Sequence, residues 1–286
     1  RVEFTEESNG FMRINKAEKG QNISKRADNL KNGEKVFSMG KLLRPQDIGI
    51  LASLGIELIT VYSQPKIAVI CTGDEIVEAK QQLNNGEIYN GNSPILLALL
   101  RSMGIVGRYY GIVPDIYEKL FDTVSIAKIE NDVILISGGV SMGDFDFVPT
   151  VIKELDYSIL FNRVSVKPGK PTTFARNGNK FLFGIPGNPV STFVIFELFV
   201  KKFIYGMMGH DYKPLYSSVV ALEDIFRKDT ERTEYIPVKL SGDGIESLMY
   251  KGSSHVNILA ESDALAQMDI GQNQIKKGTM LYVRHI

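Results

Sequence analysis

Strands and helices alternate in the sequence pattern of residues 65–136, and this alternation restricts the fold more than any other feature of the chain. Apolar runs typical of strands and runs typical of helices follow one another at 67–71, 93–103, 106–112, 115–129 and 132–136. Helical crossovers of this length connect parallel strands and cover both faces of their sheet. The sequence therefore predicts an α/β fold with a central three-layer domain built on a parallel sheet.

Different patterns flank this domain on both sides. Residues 1–62 carry short apolar pieces separated by Gly and Asn, with one predicted helix that begins at Pro45. Residues 210–286 contain short β-prone runs between glycine-rich turns, which predict a small β-barrel domain. We therefore expect a mixed α/β or β segment at 1–62, an α/β domain at 63–209 and a β-barrel at 210–286. Since the chain begins with Arg1 and not with Met, we also expect further N-terminal sequence to precede it.

Charge and cysteine usage narrow the classes of function. Lys plus Arg and Asp plus Glu number 33 each, so nothing attracts the whole chain to nucleic acid or to a membrane. The single cysteine, Cys71, excludes an intrachain disulfide and a thiolate zinc site. Glu197, Lys201 and Lys202 interrupt the apolar stretch 189–208, which predicts a buried helix with one solvated stripe and no membrane span. A cytoplasmic protein that acts on small molecules fits these features.

Four motifs follow predicted strands of the central domain. They are Thr-Gly-Asp-Glu (72–75), Val-Pro-Asp (113–115), the loop 137–146 and Ile-Pro-Gly-Asn-Pro (185–189). Ligands of open α/β sheets bind outside the carboxyl ends of the strands. We therefore expect the four motifs to form one site.

The loop 137–146 combines glycines with carboxylates. Gly138 and Gly139 permit positive φ values, which let backbone N–H groups face an anion. Asp144 and Asp146 follow closely and can hold a cation beside that anion. The loop predicts phosphate chemistry with a metal ion.

Two further segments favour an anion at the same edge of the sheet. Asn188 is a predicted helix N-cap with Pro189 at the first helical position, which leaves N–H groups and the positive end of the helix dipole free. Lys167 and Lys170 lie in a turn stiffened by Pro and Gly, where they can act as positioned cations. Carboxylates and cations together favour Mg²⁺-assisted phosphoryl or anhydride chemistry.

Several of these residues also have a purely structural interpretation. Asp115 suits the cap of the following helix, Asp74 can brace its own turn, and Asp144 is interpreted as a solvent-side neighbour. The cysteine and the three histidines are interpreted as packing residues. Glu75 and Asp146 are the stronger candidates for a functional role.

Taken together, the motifs resemble one family. The resemblance is carried by Thr-Gly-Asp-Glu (72–75), Ser-Gly-Gly-Val-Ser-Met-Gly-Asp-Phe-Asp (137–146), Lys-Pro-Gly-Lys-Pro (167–171), Pro-Gly-Asn-Pro-Val-Ser (186–191), Gly-Gln-Asn-Ile (20–23) with Asp28, Arg-Thr-Glu-Tyr (232–235) and Gly-Ser-Ser-His (252–255). In their order and spacing, these motifs are similar to those of the molybdopterin molybdenumtransferases, the MoeA family. The C-terminal domain of gephyrin is related to this family. The resemblance covers essentially the whole chain.

The resemblance implies an enzyme of molybdenum cofactor biosynthesis. Such an enzyme cleaves adenylylated molybdopterin and inserts molybdate into the dithiolene, releasing AMP in the presence of Mg²⁺. It implies that Glu75, Asp115 and Asp146 are the catalytic and metal-binding carboxylates. It also implies that the substrate-binding residues are Thr72, Asp74, Gly138, Gly139, Ser141, Lys167, Lys170, Pro186, Gly187, Asn188, Pro189, Ser191, Asp28, Arg232 and Ser254.

The family also implies partners and leaves alternatives open. Its members form homodimers in which the active cleft is shared between subunits, and contacts with a molybdopterin adenylyltransferase and with molybdoenzymes are expected. The family's upstream Asp-x-Ser-x-Met-Asp-Gly-Tyr-Ala segment is absent from these 286 residues. One alternative is the related molybdopterin adenylyltransferase, whose loop usually reads Gly-Gly-Thr-Gly and which lacks the flanking domains. The other is a scaffold that keeps the fold without catalysis.

Overall fold

A computed structural model describes residues 2–14, 18–140, 146–227, 230–242, 244–248 and 252–286. The chain divides into two compact units, Arg1–Lys41 and Leu42–Ile286. The first unit contains a 3-10 turn at Val2–Phe4 and a hairpin of β1 (Thr5–Ser8) and β2 (Phe11–Ile14). Asn9 and Gly10 form the hairpin turn with φ values of 54° and 77°, as Asn-Gly turns of this kind require.

The second unit carries the remaining helices and strands. The helices are α1 (Pro45–Ser53), α2 (Asn92–Ser102), α3 (Tyr117–Glu130), α4 (Val148–Glu154), α5 (Pro189–Ile195), a π-helical segment (Phe196–Val200), α6 (Lys201–Met207) and α7 (Ile258–Glu261). The first strands are β3 (Ile67–Thr72), β4 (Ile76–Val77), β5 (Ile88–Tyr89), β6 (Arg108–Val113), β7 (Val133–Ser137), β8 (Ser158–Phe161), β9 (Val166–Lys167), β10 (Thr173–Asn177) and β11 (Lys180–Ile185). The later strands are β12 (Tyr216–Ala221), β13 (Ile225–Phe226), β14 (Thr233–Ser241), β15 (Gly244–Ser247), β16 (Ala264–Met268), β17 (Gln274–Ile275) and β18 (Met280–His285).

The central sheet has the strand order β6-β3-β7-β11-β10-β8. Strands β6, β3, β7 and β11 run parallel to one another, as the sequence predicts. Strand β10 runs antiparallel to both of its neighbours, β11 and β8, so β8 points the same way as the four core strands and the sheet is mixed and not parallel throughout. The reason is the short connection between β10 and β11, because a two-residue turn with Gly178 at a φ of 56° joins only antiparallel strands.

Helices cover both faces of this sheet. On one face α3 and α4 pack through Leu120, Val124 and Val151. On the other face α2 and the α5–π–α6 helix pack through residues such as Leu96 and Phe196. Each face is completed by alternate side chains of the buried strands, since successive residues of a strand point to opposite faces. The predicted three-layer arrangement is therefore confirmed.

The helix that follows β11 differs from the prediction at one position. It begins at Pro189, as expected, but Glu197 does not lie on a solvated stripe: it is 1% exposed. Lys201 Nζ lies 2.9 Å from Glu197 Oε1, and Arg284 Nη2 from the C-terminal domain lies 3.5 Å from Glu197 Oε2. These cations compensate the buried charge, which is the condition under which a carboxylate is found in a protein interior.

The C-terminal domain is a closed barrel. Strands β15, β12, β18, β16 and β14 are bonded in this order, and β14 also pairs with β15, which closes the circle. Strand β9 of the preceding segment pairs in parallel with β14, so the Lys167 region extends the barrel wall. Along the described part of the chain, no helix combines the length and the apolar character that a transmembrane segment needs.

Candidate active site

The four parallel strands end in register at one edge of the central sheet. Thr72 of β3 pairs with Val113 of β6, and Ser137 of β7 is flanked by Cys71 of β3 and Ile185 of β11. The motifs that follow these strands are therefore neighbours. This confirms the expected meeting of the strand ends, which is a consequence of parallel pairing.

The glycines of the loop after β7 lie directly against the end of β3. Gly138 and Gly139 have φ values of 98° and 61°. A Cβ at Gly138 would lie 2.5 Å from Thr72 O, and one at Gly139 would lie 2.9 Å from Thr72 Oγ1. Only glycine fits such a close approach with positive φ. The buried Thr72 hydroxyl has no hydrogen-bond partner within the described ranges, so these leave a polar atom unsatisfied beneath the loop.

Asn92 forms hydrogen bonds that connect three of these segments, a role that was not predicted from the sequence. It lies at the start of α2, is 6% exposed, and its Nδ2 donates to Ser137 Oγ at 2.8 Å and to Gly187 O at 2.5 Å. Gly138 N in turn donates to Ile185 O at 3.0 Å. These bonds hold the glycine loop against the segment that precedes α5. The only sequence signal was the polar run at 90–93 before an apolar helix.

The predicted carboxylates lie together beside this loop. Asp74 Oδ1 accepts a hydrogen bond of 3.0 Å from Asp115 N, which joins the motifs after β3 and β6. Burial raises the pKa of Asp115, and repulsion by Asp74, Glu75 and Asp146 raises it further. Asp74, Glu75, Asp115 and Asp146 thus form an electrostatically interacting group, the carboxylate cluster. A carboxyl group whose pKa is raised in this way is suited to carry a proton in a reaction.

We expect Asp115→Asn to stabilise the fold slightly at neutral pH. Since the folded-state pKa of Asp115 is raised, the native state binds the proton more tightly than the unfolded chain, and stability falls as pH rises between the ordinary and the raised pKa. The gain should be about 0.5 kcal/mol at pH 7, because solvent screens this partly exposed group, and it should vanish in acid. Thermal unfolding at the two pH values measures it. A gain that is equal at both pH values, or one that is matched by exposed Asp122→Asn, would contradict the assignment.

The donor set of this cluster suits a hard divalent cation. Carboxylate oxygens are the ligands that Mg²⁺ prefers, and a cation would relieve the repulsion around Asp115. Within the ranges that the structure describes, no three Asp, Glu, His or Cys side chains already lie close enough together to hold a metal ion.

A cavity of about 640 Å³ lies between the carboxyl edge of the sheet and the barrel. Six of the predicted substrate-binding residues line it: Lys167, Lys170, Pro186, Asn188, Ser191 and Arg232. The Lys167–Pro168 peptide bond is cis. Gly169 has a φ of 122°, and a Cβ there would lie 2.5 Å from Ile195 Cδ1. The turn is thus packed tightly onto α5, and its two lysines, Lys167 and Lys170, line the cavity.

The barrel contributes further charged residues, of which Glu234 belongs to the Arg-Thr-Glu-Tyr motif at 232–235. Arg227, Asp224 and Glu234 line the cavity, and Glu234 is paired with Lys167 Nζ at 3.3 Å. Arg227 donates to the backbone oxygens of Gln272, Arg232 and Asp269 and so fixes the loops that present Arg232. Among the residues that the structure describes, four cations and two carboxylates therefore surround the cavity. Such a surplus of positive charge stabilises a bound anion.

The remaining predicted residues occupy different places. Asn188 is the N-cap residue of α5, but its side chain does not cap the helix; Asn188 Oδ1 instead accepts a hydrogen bond of 3.1 Å from Ser254 Oγ. Asp28 belongs to the first unit, where its Oδ2 accepts a hydrogen bond of 2.5 Å from Lys25 N. Ser141, like Asp144, lies outside the described residues. Pro189, Gly187 and the glycines of the loop do not line the cavity.

The cysteine is a packing residue, as predicted. Cys71 lies at the buried end of β3, and burial raises the pKa of its thiol to about 11. A thiol that stays protonated at neutral pH is a poor nucleophile and a poor metal ligand. Cys71 is therefore not suited to act as a nucleophile or metal ligand in this site.

Comparison with known proteins agrees with this arrangement. Residues 68–205 match a family model described as a probable molybdopterin binding domain, and residues 219–283 match the model of the MoeA C-terminal region, domain IV. A molybdopterin molybdenumtransferase of Staphylococcus aureus is 32% identical over 265 residues, which is 91% of this chain and 63% of the relative. One of Staphylococcus epidermidis is 33% identical over 269 residues, 92% of this chain and 64% of the relative.

A solved structure supports the same relationship. The molybdopterin biosynthesis MoeA protein from Pyrococcus horikoshii superposes with a TM-score of 0.82 at 29% identity, over 99% of this chain and 70% of that one. The chain spans slightly less than two thirds of the length of the staphylococcal relatives. Because it combines the molybdopterin-binding domain with the MoeA C-terminal domain and aligns with such relatives over most of its own length, the protein belongs to the MoeA family.

Proposed function

We propose that this protein is a molybdenum insertase, which cleaves adenylylated molybdopterin and inserts molybdate into its dithiolene with release of AMP. The observation that carries the proposal is the pairing of two unlike sites at one sheet edge. A cluster of carboxylates lies beside the glycine loop, and a cavity lined by Lys167, Lys170 and Arg232 lies on the side of the barrel. Anhydride cleavage and oxyanion delivery need these two kinds of environment.

The cavity is the proposed oxyanion site. Lys167 and Lys170 act as point cations, and Arg232 offers a planar set of donors to a tetrahedral oxyanion. Ser191 and Asn188 add polar groups on the side of α5. Holding molybdate here would place it next to the loops that bind the pterin phosphate, so that insertion becomes an intramolecular transfer.

The glycine loop and the segment before α5 form the proposed cradle for the pterin and its phosphate. Gly138 has the backbone conformation that allows close approach of a ligand, and the Asn92 bonds hold it against Gly187. The start of α5 adds the positive end of a helix dipole. Pterin and phosphate would thus be bound largely by backbone groups.

Glu75, Asp115 and Asp146 would hold Mg²⁺ and control protons during cleavage of the anhydride. When bound, the cation neutralises charge on the departing phosphate. Asp115, whose pKa is raised, is the group best suited to exchange a proton with water or with a phosphate oxygen. We also propose that the protein is cytoplasmic and works as a homodimer with a shared cleft, and that it meets a molybdopterin adenylyltransferase and molybdoenzymes as partners.

The experiment is to incubate the protein with adenylylated molybdopterin, Mg²⁺ and molybdate, and to follow AMP by chromatography. We expect AMP release that depends on molybdate. No AMP under these conditions would contradict the insertase proposal and favour a scaffold. Formation of adenylylated molybdopterin from free molybdopterin and ATP would identify an adenylyltransferase instead.

A further inference from the structure

A buried carboxylate lies among the cations of the cavity. Glu234 is 5% exposed, and it lines the cavity together with Lys167 and Arg227. Its Oε1 lies 3.3 Å from Lys167 Nζ, and its Oε2 lies 4.0 Å from Arg227 Nη1. A negative charge therefore lies where the proposed function needs to attract an anion.

The backbone brings Glu234 and Lys167 together. Strands β9 and β14 pair in parallel, and Glu234 is the register partner of Lys167. The carboxylate is almost completely buried, whereas 32% of the Lys167 side chain remains exposed. The Lys167 ammonium group thus lies between the Glu234 carboxylate and the solvent. Its three N–H donors can bind both this carboxylate and a ligand.

Arg227 does not replace Lys167 as the partner of this carboxylate. Its guanidinium donates to the backbone oxygens of Gln272, Arg232 and Asp269. Among the described residues, no group forms a hydrogen bond with the buried Glu234 Oε2. Since a buried charge must be compensated, the carboxylate depends mainly on its close contact with Lys167.

We propose that Glu234 is an internal counter-ion that competes with the bound oxyanion for Lys167 and thereby weakens oxyanion binding. This inference rests on the proposed function of the cavity. A dianionic oxyanion at Lys167 is repelled by the neighbouring carboxylate, and this repulsion is strong in a partly buried site. Weak binding favours transfer, because an oxyanion held too tightly in the ground state raises the barrier to its insertion.

Removing the charge of Glu234 has two opposite effects on oxyanion binding, and their difference decides whether binding becomes tighter or weaker. Glu234→Gln keeps the shape of the side chain but ends the repulsion and releases a Lys167 donor. It also loosens the orientation of Lys167, which costs the entropy of a single side chain and is the smaller effect. Glu234 is therefore a positioning residue whose removal tightens binding, whereas damage to the fold would weaken it.

The test is calorimetric titration of inorganic molybdate into the whole protein and into Glu234→Gln. We expect the Kd to fall about tenfold in Glu234→Gln. The matched control is Glu261→Gln, which removes the same charge from an exposed position of α7 outside the cavity. We expect its Kd to stay within about twofold of the unaltered protein, since exposed charges are screened. If Glu234→Gln does not fold, Glu234→Asp, which retracts the carboxylate from Lys167, should give a smaller gain in the same direction.

A double-mutant cycle with Lys167→Gln identifies the route of the effect. We expect the gain from Glu234→Gln to shrink when Lys167 is replaced, because competition for Lys167 is then absent and only the direct repulsion of the oxyanion by Glu234 remains. Equal or weaker molybdate binding by the folded Glu234 variant, or a gain of unchanged size without Lys167, would overturn the inference. Because these titrations contain no pterin, they are independent of the AMP assay: AMP release without the gain refutes only the role of Glu234, and absence of AMP refutes the insertase proposal itself.

Discussion

Asp146→Asn should lower molybdate-dependent AMP release by about 10²–10⁴-fold while pterin binding changes little. Asp146 lies close enough to Asp115 to raise its pKa, so it belongs to the carboxylate cluster beside the glycine loop. Asparagine keeps the size of the side chain but can neither carry the negative charge nor accept a proton. The loss should therefore appear in kcat, with the affinity for adenylylated molybdopterin within about threefold of the unaltered protein.

Asp122→Asn is the matched control for this prediction. Asp122 lies on the exposed side of α3, and its substitution removes one carboxylate without touching the cluster. AMP release should stay unchanged in this variant. If Asp146→Asn turned over within about threefold of the unaltered protein, Asp146 would have no part in the reaction. If it failed to bind the pterin, its role would be in binding and not in the chemical step.

The pH profile offers a second measurement on the same variant. Repulsion by Asp146 contributes to the raised pKa of Asp115. Removing that charge should lower the pKa of Asp115, so the acid limb of any residual activity should move to lower pH. A profile that keeps its position would show that the two groups do not act on one another during the reaction.

The meeting of the four motifs could be predicted from sequence because it depends on topology. Apolar runs separated by helices can form only a parallel core, and parallel strands end at the same edge. Thr72 and Val113 are register partners for this reason. The antiparallel direction of β10 was also visible in principle, since Gly178 and Asn179 form a turn too short for a crossover.

Other features depend on residues far away in the chain, which local patterns do not contain. Asn188 was predicted as a helix cap from its neighbours, but its side chain accepts a hydrogen bond from Ser254, 66 residues later. Asn92 bonds to Gly187 across 95 residues. Glu197 looked like a solvated position because its partner Arg284 comes 87 residues later, from the last strand of the barrel. Local periodicity assigns a charged residue to the surface unless a partner is known.

Glu197→Leu should destabilise the protein by about 3–5 kcal/mol. Arg284 is 5% exposed, and Glu197 is the one carboxylate within 4.0 Å of its guanidinium among the described residues. Arg284 cannot lose its proton, so the substitution leaves a buried charge without its carboxylate partner and, in the part of the chain that the structure describes, with only the backbone oxygen of residue 197 as acceptor for Nη2. The loss of Glu197 affects Lys201 less, because 19% of the Lys201 side chain is already exposed and its ammonium group can turn towards water. Urea-induced unfolding followed by circular dichroism measures the loss.

The partner variants separate this explanation from a simple packing defect. Arg284→Met should cost less than Glu197→Leu, about 1–3 kcal/mol, because Glu197 retains Lys201 at 2.9 Å. The double variant Glu197→Leu with Arg284→Met should return to within about 1 kcal/mol of the unaltered protein, since apolar side chains of similar volume then replace the whole pair. A double variant less stable than Glu197→Leu alone would show that the two side chains contribute through packing. The ion pair between the π-helical segment and the barrel would then not be the origin of the loss.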